Sequence, residues 1–302
     1  GYFPGPDVWR TGRKVPTSGI TQPPVAGFSA QRLLAEANDV AMARRRAAKL
    51  LPAIDAWHNW FFAARDPANE GLVAILHPWE SGRDNSVDWD AAFARVPTEG
   101  VEPYRRRDTQ HADPAHRPTK AQYDRYLWLV EHFRRLGWDN TRLHEASPFR
   151  VVDPGFNAIL IRSAADLAEL AERLGEPQIA AANRGRAAAG LAALEGLWSA
   201  SHGQYLCRDR VTGELIDSAS IGGLLPAFAA IPRPRAAALA RRIERQALAL
   251  PFGVASHDPD DPRFEAKRYW RGPSWLITNY MLAEGFAAAG EVELAARLVA
   301  AS

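Results

Sequence analysis

The chain has 302 residues, of which 47% are hydrophobic and 24% are charged, so it has enough apolar side chains to bury a large core. Its 37 basic and 35 acidic residues are scattered and leave a formal charge of +2, which argues against the basic stripe of a nucleic-acid-binding protein. A single cysteine, Cys207, excludes internal disulfides, and neither a membrane span nor an apolar signal core is present, so we expect a cytoplasmic protein.

Helical periodicity with breaks at glycine or proline dominates the sequence. The predicted helices, in chain order, cover residues 29–38, 43–65, 88–95, 118–136, 156–174, 177–199, 219–230, 233–248, 273–289 and 291–301. They come in consecutive pairs with short breaks such as Gly175-Glu176-Pro177, a pattern typical of helical hairpins. Residues 204–208 and 214–218 flank Thr212-Gly213 and predict one small β-hairpin insertion over 203–218.

Helical hairpins in series form either an open solenoid or a closed toroid. A solenoid repeats one signature at a fixed period, whereas these hairpins share no signature and are joined by long polar loops that differ from one another. The sequence therefore favours an all-α toroid, which we take as a single domain over residues 1–302.

The segment from His77 to Asp90 concentrates acids, a guanidinium and two indoles directly after the apolar run 71–76. This position predicts a loop at one end of the helical scaffold, where function tends to concentrate. The alternative is a solvated loop in which Asp84-Asn85-Ser86 caps a helix. A cap needs only one such residue and explains neither the Trp79-Glu80 pair nor Trp89, so the segment indicates a site.

A second concentrated segment runs from Phe264 to Trp275. Tyr269, Trp270 and Trp275 place three large aromatic rings around a loop that also carries Arg271. Sugars stack on such rings and hydrogen-bond to charged groups, so this mixture of residues suits a carbohydrate cleft. The alternative is an aromatic cluster that plugs the toroid, with Arg271 paired to a core acid.

Three runs, Ser18–Pro24, Trp79–Ser86 and Tyr269–Trp275, occur in this order along the chain. Together they resemble glycoside hydrolase family 63, and most closely its bacterial branch of mannosylglycerate and glucosylglycerate hydrolases. Trehalases share the fold and have similar motifs. The resemblance covers the chain from Ser18 onward, and it implies an (α/α)6 toroid that hydrolyses an α-glycosidic bond with inversion.

The resemblance also implies roles for individual residues. Asp84 would be the general acid that protonates the leaving-group oxygen. The candidate substrate contacts are Gln22, Trp79, Glu80, Gly82, Arg83, Tyr269, Trp270, Arg271, Gly272 and Trp275. Asn157 is a further candidate, with a helix cap as the alternative. An acid donates its proton near neutral pH only if its surroundings raise its pKa, and the sequence leaves the sign of that shift open because Glu80 and Arg83 act in opposite directions.

Inversion requires a second carboxylate, roughly 6.5–9.5 Å from the first. By the resemblance this general base is a glutamate in a loop tens of residues beyond the second motif, whereas the chain ends at Ser302. Glu265 and Glu284 are weaker candidates within the chain. We therefore expect a fragment whose toroid is incomplete at both ends, which is inactive alone and whose bare apolar helix faces favour a homo-oligomer.

The expected substrate is a small glycoside such as mannosylglycerate or glucosylglycerate, whose carboxylate would need a cation, either Arg271 or Arg83. The alternatives are an α-glucosidase acting on neutral oligosaccharides, a carbohydrate-binding remnant without chemistry, and a sugar epimerase. An epimerase depends on histidines in the cavity, and only His77 lies within a motif.

No metal or cofactor is expected, because the eight histidines are dispersed and no acid spacing suits a catalytic metal. The polar connection from Arg105 to Pro118 predicts a mobile surface loop, with a lid over the cleft as the alternative.

Overall fold

The computed structural model describes residues 9–12, 17–110, 112–247 and 250–302. The α-helices in chain order are α1 (Ala26–Ala35), α2 (Val40–Arg65), α3 (Asp90–Phe93), α4 (Lys120–Arg135), α5 (Asn140–Ala146), α6 (Pro154–Leu174), α7 (Pro177–Leu194), α8 (Arg233–Ala247), α9 (Leu276–Ala289) and α10 (Val292–Ala300). Four short strands, β1 (Val151–Val152), β2 (Trp198–Ser199), β3 (Gln204–Tyr205) and β4 (Arg208–Asp209), form the antiparallel pairs β1–β4 and β2–β3. The predicted all-α class is confirmed.

Helix α6 is the central element of the fold. It begins at Pro154, where the Asp153 side chain accepts a hydrogen bond from Gly155 N, and it ends at Gly175, which has a φ of 84°. Its buried residues take part in each of the three hydrophobic clusters, and α1, α2 and α7 pack against it. A helix covered on several sides is what the inner ring of paired helices requires.

The helical hairpin α6–α7 was predicted correctly. Helix α1, by contrast, lies three residues earlier than the predicted helix 29–38. Helix α1 ends at Ala35, and the next helix begins at Val40. The Asp39 side chain accepts a hydrogen bond from Met42 N and caps α2. The short helix α5 was not predicted, and residue 248 of the predicted helix 233–248 lies outside the described residues.

The predicted helix over 219–230 is wrong. The structure has two short 3-10 helices there, Ile221–Gly223 and Leu225–Ala229. A Cβ at Gly222 would lie 2.3 Å from Arg83 Nη2, and one at Gly223 would lie 2.1 Å from the Tyr205 carbonyl oxygen. Close packing therefore requires glycines at both positions, and glycine disfavours a continuous helix.

The β-hairpin predicted over 203–218 forms only in part. Its two arms are joined by hydrogen bonds from Asp209 N to Glu214 O at 2.9 Å and from Ile216 N to Cys207 O at 2.8 Å. The named strands, however, pair with segments outside it, since β3 pairs with β2 a few residues before it and β4 pairs with the distant β1. The segment is therefore integrated with the helical scaffold rather than set apart from it.

Several large apolar side chains on the helices stay exposed. The most exposed of those on α1, α9 and α10 are Leu33, Leu276, Ile277, Val292 and Val299. Across the residues that the structure describes, no helix is both long and apolar enough to cross a lipid bilayer.

Helix α1 contacts α6 through Gly27, and we predict that Gly27→Ala destabilises the protein. A Cβ there would lie 2.1 Å from the Ser163 carbonyl oxygen, so we expect the free energy of unfolding to fall by about 1–3 kcal/mol. In the exposed α7 position Gly185, nothing lies within 4 Å, and Gly185→Ala should add up to about 1 kcal/mol. Urea unfolding measures both changes, and equal effects of the two variants would contradict this packing.

Candidate active site

The first motif folds as two short 3-10 helices, Pro78–Ser81 and Val87–Trp89, with Asp84 on the turn between them. Ser86 caps the second 3-10 helix by accepting a hydrogen bond from Asp88 N, as the capping alternative proposed. The segment is nevertheless no solvated loop, because most of its side chains are buried. Gly82 has a φ of 74°, a left-handed conformation that favours glycine and reverses the chain ahead of Asp84.

Glu80 is fully buried and bound to other parts of the protein, and its predicted contact with substrate stays a prediction. Its Oε1 accepts hydrogen bonds from Arg65 Nη2 at 2.8 Å and from Thr21 N at 3.3 Å. Its Oε2 accepts one from Leu76 N at 2.7 Å. Glu80 therefore holds the first motif against α2 and against the loop that carries Gln22.

Gln22 lies on that loop and is exposed. Its Nε2 donates hydrogen bonds to the carbonyl oxygens of Trp79 at 3.1 Å and Thr21 at 2.9 Å. Pro23 lies beside Gly82, with its Cγ 3.8 Å from where a Cβ of Gly82 would lie. The Ser18–Pro24 run and the first motif, separated in sequence, are therefore in contact.

Arg83 is also buried and bound to other parts of the protein, and its place in a sugar subsite stays a prediction. Its Nη2 donates to Asp153 Oδ1 at 2.8 Å, and its Nη1 pairs with Asp88. Asp88 also accepts hydrogen bonds from the hydroxyls of Ser218 at 2.5 Å and Ser220 at 2.6 Å. Burial would lower the pKa of Arg83, but Asp153 and Asp88 together raise it above its ordinary value, so it stays charged.

Asn157 is not the helix cap that the sequence offered as an alternative, since Asp153 caps α6, and its contact with substrate stays a prediction. Its Oδ1 accepts a hydrogen bond from Val73 N at 2.8 Å, and its Nδ2 donates to the carbonyl oxygens of Val73 and Asp153 at 2.9 Å. The side chain is 2% exposed. Asn157 thus fastens the apolar run 71–76 to α6.

The second motif is held against the first by Arg271 and by the residue after Asp84. Arg271 Nη2 pairs with Asp90 Oδ1, and its Nε donates to Asn85 O at 3.0 Å. Asn85 Oδ1 in turn accepts a hydrogen bond from Trp270 N at 2.9 Å. Arg271 is thus in an ion pair with an acid, Asp90, as the alternative interpretation of the second motif proposed.

The aromatic rings of the second motif form a compact wall. Trp270 and Trp275 stack with ring centroids 4.4 Å apart, and Tyr269 meets Trp275 edge-on at 5.5 Å. Tyr269 and Trp275 are half-buried, whereas Trp270 is buried. Gly272 permits close backbone packing, since a Cβ there would lie 2.2 Å from the carbonyl oxygen of Glu265. Tyr269 and Trp275 are therefore the rings of this motif that a ligand can reach.

Trp79 lies in a separate aromatic cluster. It is 6% exposed and packs against His77, Tyr123 and Tyr126, with ring centroids 4.6, 6.1 and 5.1 Å away. Its predicted place in a sugar subsite is therefore limited to the small part of the ring that stays accessible.

Asp84 is half-buried: many protein atoms surround its carboxyl group, but part of the residue stays accessible to solvent. Burial raises the pKa of its carboxyl group to about 7, although Arg117 and the Tyr269 hydroxyl both act to lower it. Asp108 adds a smaller contribution that raises it. The Tyr126 hydroxyl donates a hydrogen bond to the Asp84 carbonyl oxygen at 2.8 Å and holds the turn in place. Asp84 can therefore carry a proton near neutral pH.

Asp88, four residues further on, has the opposite electrostatics. Burial would raise the pKa of Asp88, but Arg83 and the hydroxyls of Ser218 and Ser220 hold it below its ordinary value. Two carboxyl groups of one motif thus differ in charge near neutral pH, which is the division between a proton donor and a permanently ionised acid.

Sequence reasoning missed Arg117 as a site residue. Its guanidinium lies 3.9 Å from the centroid of the Tyr269 ring, and its Nε donates to Asp108 Oδ2 at 3.3 Å. Arg106 pairs with the same Asp108 and lies over the Tyr123 ring at 4.4 Å. The connection from Arg105 to Pro118 was identified only as a polar loop, and its residue 111 lies outside the described residues.

Tyr123 and Tyr126 were also missed. They lie three residues apart on α4, so they share one face of the helix, and that spacing in a predicted helix was the available signal.

The two candidates for a second catalytic carboxylate are both in ion pairs. Glu265 pairs with Arg268 at 2.8 Å, and Glu284 on α9 pairs with Arg32 on α1 at 3.2 Å. In the described ranges, no group of three His, Cys, Asp or Glu side chains is arranged to hold a metal ion.

Comparisons with known proteins were made over the whole chain. The sequence matches the family described as "Mannosylglycerate hydrolase MGH1-like glycoside hydrolase domain" over residues 2–302. It is 47% identical over 299 residues to mannosylglycerate hydrolase MGH1 of Selaginella moellendorffii, and the match covers 98% of this chain and 61% of that protein. It is 48% identical over 302 residues to the mannosylglycerate hydrolase of Thermus thermophilus, covering 99% of this chain and 72% of that protein.

A solved structure is similar as well. The crystal structure of a GH63 mannosylglycerate hydrolase from Thermus thermophilus in complex with Tris and D-glycerate superposes with a TM-score of 0.94 at 48% identity. The superposition covers 99% of this chain and 71% of that one. The toroid of paired helices predicted from the sequence is thereby confirmed.

We predict that the raised pKa of Asp84 makes the stability of the protein depend on pH. The native carboxyl group titrates at about 7, whereas an unfolded Asp titrates at about 3.9, so the native state binds more protons between these values. The wild-type free energy of unfolding should therefore fall, by up to a few kcal/mol, as pH rises from about 4 to about 7.

Asp84→Asn removes this titration, so its stability relative to the wild type should rise over the same pH range. Urea unfolding at several pH values measures the difference, and Asp260→Asn at an exposed position serves as the control. Parallel curves for wild type and Asp84→Asn would show that Asp84 has an ordinary pKa.

Proposed function

Since the chain belongs to the family of mannosylglycerate hydrolase MGH1-like glycoside hydrolase domains, we propose that it is an α-glycoside hydrolase acting on glycosides of glycerate. The site would lie in one catalytic domain over residues 1–302. Mannosylglycerate is the first substrate to test and glucosylglycerate the second. The chain spans 61% of the plant relative, so its activity is inferred from the site rather than from the relative's name. Two further parts of the proposal, a cytoplasmic location and self-association, rest on the sequence alone.

The observation that carries the proposal is the environment of Asp84. A general acid must hold a proton at working pH and must also be reached by the leaving-group oxygen. The pKa of Asp84 is raised to about 7 and the side chain keeps contact with solvent, whereas Asp88 is buried and ionised. Asp84 would donate its proton to the glycosidic oxygen as the bond to the anomeric carbon breaks.

Inversion further requires a carboxylate that activates water on the opposite face of the sugar. We assign this role to neither Glu265 nor Glu284, because their carboxylates pair with Arg268 and Arg32. We assign the base to no residue of the described ranges.

Arg117 is the proposed partner of the glycerate carboxylate. Arg83 is buried between two carboxylates, and Arg271 is buried and paired with Asp90, so both cations expected from the sequence are occupied. The Arg117 side chain is 20% exposed and lies against Tyr269 beside Asp84. A cation at this position favours an anionic aglycone over a neutral oligosaccharide, and the solved Thermus relative was crystallised with D-glycerate.

The epimerase alternative would need a histidine that faces the cavity, and His77 does not fit this role. This histidine is fully buried, and its ring nitrogens contact Trp79 N and Tyr126 O, both at 3.0 Å. Burial lowers the pKa of His77 to about 3, so the ring is neutral and structural near neutral pH.

We predict that Asp84→Asn abolishes hydrolysis while leaving D-glycerate binding within a few-fold of wild type. Loss of a general acid costs roughly 10²–10⁴ in rate, and the amide preserves the shape of the side chain. The assay measures D-glycerate released from mannosylglycerate and glucosylglycerate, and glucose released from an α-glucobiose, by the natural polypeptide that carries this sequence. Glu293→Gln, at an exposed position on α10, is the matched control.

The same assay separates the alternatives. Faster cleavage of the α-glucobiose would favour a neutral-oligosaccharide substrate, and sugar binding without any hydrolysis would favour a non-catalytic remnant. Running the assay also with the 302-residue chain tests the expectation that this segment is inactive alone.

A further inference from the structure

We propose that the substrate's own carboxylate, by pairing with Arg117, makes Asp84 retain its proton more firmly, so that an anionic aglycone activates the general acid. This inference rests on the proposed function and deepens it. It gives Arg117 a specificity role that acts on the chemical step, beyond the binding of the glycerate group.

The geometry places Arg117 next to the acid with one intervening ring. The guanidinium lies over the Tyr269 ring at 3.9 Å, and the Tyr269 hydroxyl contacts the Asp84 carboxyl group. Tyr269 has a φ of 34°, an uncommon backbone conformation for a residue other than glycine, and such strain is often found where a side chain must be held in position. Arg117 therefore packs against the ring whose hydroxyl meets Asp84, and it also contacts Asp108.

The charges around Asp84 come from several segments. The groups with the largest mutual effects on Asp84 are Arg117, Asp108, Tyr269, Tyr123 and Tyr126, and Arg106 and Arg271 act on the same tyrosines. Arg117 is the only cation among the groups with the largest effects, and its charge opposes the raised pKa of Asp84 most strongly. Removing or neutralising that charge is therefore the most direct way to raise the pKa of Asp84 further.

Asp108 does not already neutralise Arg117. The Asp108 carboxylate is shared between Arg106 and Arg117, so one negative charge is set against two guanidinium groups. The group of three keeps one net positive charge, which a carboxylate ligand can compensate. The contact from Arg117 to Asp108 uses Nε at 3.3 Å, and it is longer than the 2.5 Å contact from Arg106 Nη2.

The consequence is a difference in rate between charged and neutral aglycones. A neighbouring opposite charge moves the pKa of a carboxyl group by one unit or more. When the substrate carboxylate compensates the charge of Arg117, the pKa of Asp84 should therefore rise by roughly one unit. From a starting value of about 7, the protonated fraction at pH 8 would rise from roughly a tenth to a half. Because an acid of higher pKa is also a weaker proton donor, the gain in kcat would be at most about fivefold. A glycerol glycoside, which lacks the carboxylate, would bind without this gain.

The first test measures protons taken up on binding of D-glycerate to the natural polypeptide that carries this sequence. Calorimetry at about pH 7.5 in two buffers with different ionisation enthalpies should show uptake of roughly half a proton per glycerate, and none with glycerol. Asp84→Asn should still bind D-glycerate, but with no proton uptake.

The outcomes separate this inference from the proposed function. D-Glycerate that binds without proton uptake, or with equal uptake in Asp84→Asn, overturns the inference and leaves the proposed substrate class standing. Absence of D-glycerate binding overturns both.

A second measurement uses variants of Arg117 in the hydrolysis assay. Arg117→Gln removes the cation from the free enzyme, so the pKa of Asp84 should rise. The basic limb of the pH profile of kcat/KM should therefore shift to higher pH by roughly one unit. The variant should also no longer distinguish glycerate from glycerol glycosides in kcat. Arg117→Lys restores a charge and should return the limb toward its wild-type position, whereas a merely structural role for Arg117 would leave the limb unmoved in all three proteins.

Discussion

The arrangement of this protein depends on the buried guanidinium of Arg83, which lies between the carboxylates of Asp88 and Asp153. Asp153 also caps the central helix α6, and Asp88 accepts hydrogen bonds from Ser218 and Ser220. One side chain therefore joins the first motif, the start of α6 and the 218–220 segment. A buried charge of this kind is costly to leave unpaired, typically by about 3–5 kcal/mol, so the three segments are held in one arrangement.

This arrangement leaves Asp84 as the chemically distinct member of its motif. The charged residues on either side, Glu80, Arg83 and Asp88, are engaged in internal pairs and backbone hydrogen bonds. These paired residues form a frame around the turn that carries Asp84. Asp84 itself is half-buried, and burial raises the pKa of its carboxyl group. If Asp84 is the proton donor that we propose, this frame positions its carboxyl group before a ligand arrives.

The sequence pattern and the structure divide the site residues differently. Side-chain types characteristic of sugar recognition, namely indoles, guanidiniums and acids, are concentrated in the two motifs, and the same side chains also serve to join buried loops. Glu80, Arg83 and Arg271 serve the second purpose, whereas Tyr269 and Trp275 keep accessible faces. The accessible cation Arg117 comes from a third segment whose sequence carries no aromatic motif of its own.

The sequence by itself predicted the α6–α7 hairpin, the positions of the two motifs and, through its resemblance to a known family, Asp84 as the candidate general acid. Such features depend on periodicity, capping and residue order, which are local. Only the tertiary structure decided that 219–230 is not a helix, that Asn157 is bound to Val73, and that Asp84 titrates near pH 7. Burial and ion pairing depend on which residues meet across the fold, and contacts such as that between Arg83 and Asp153 join positions far apart in the chain.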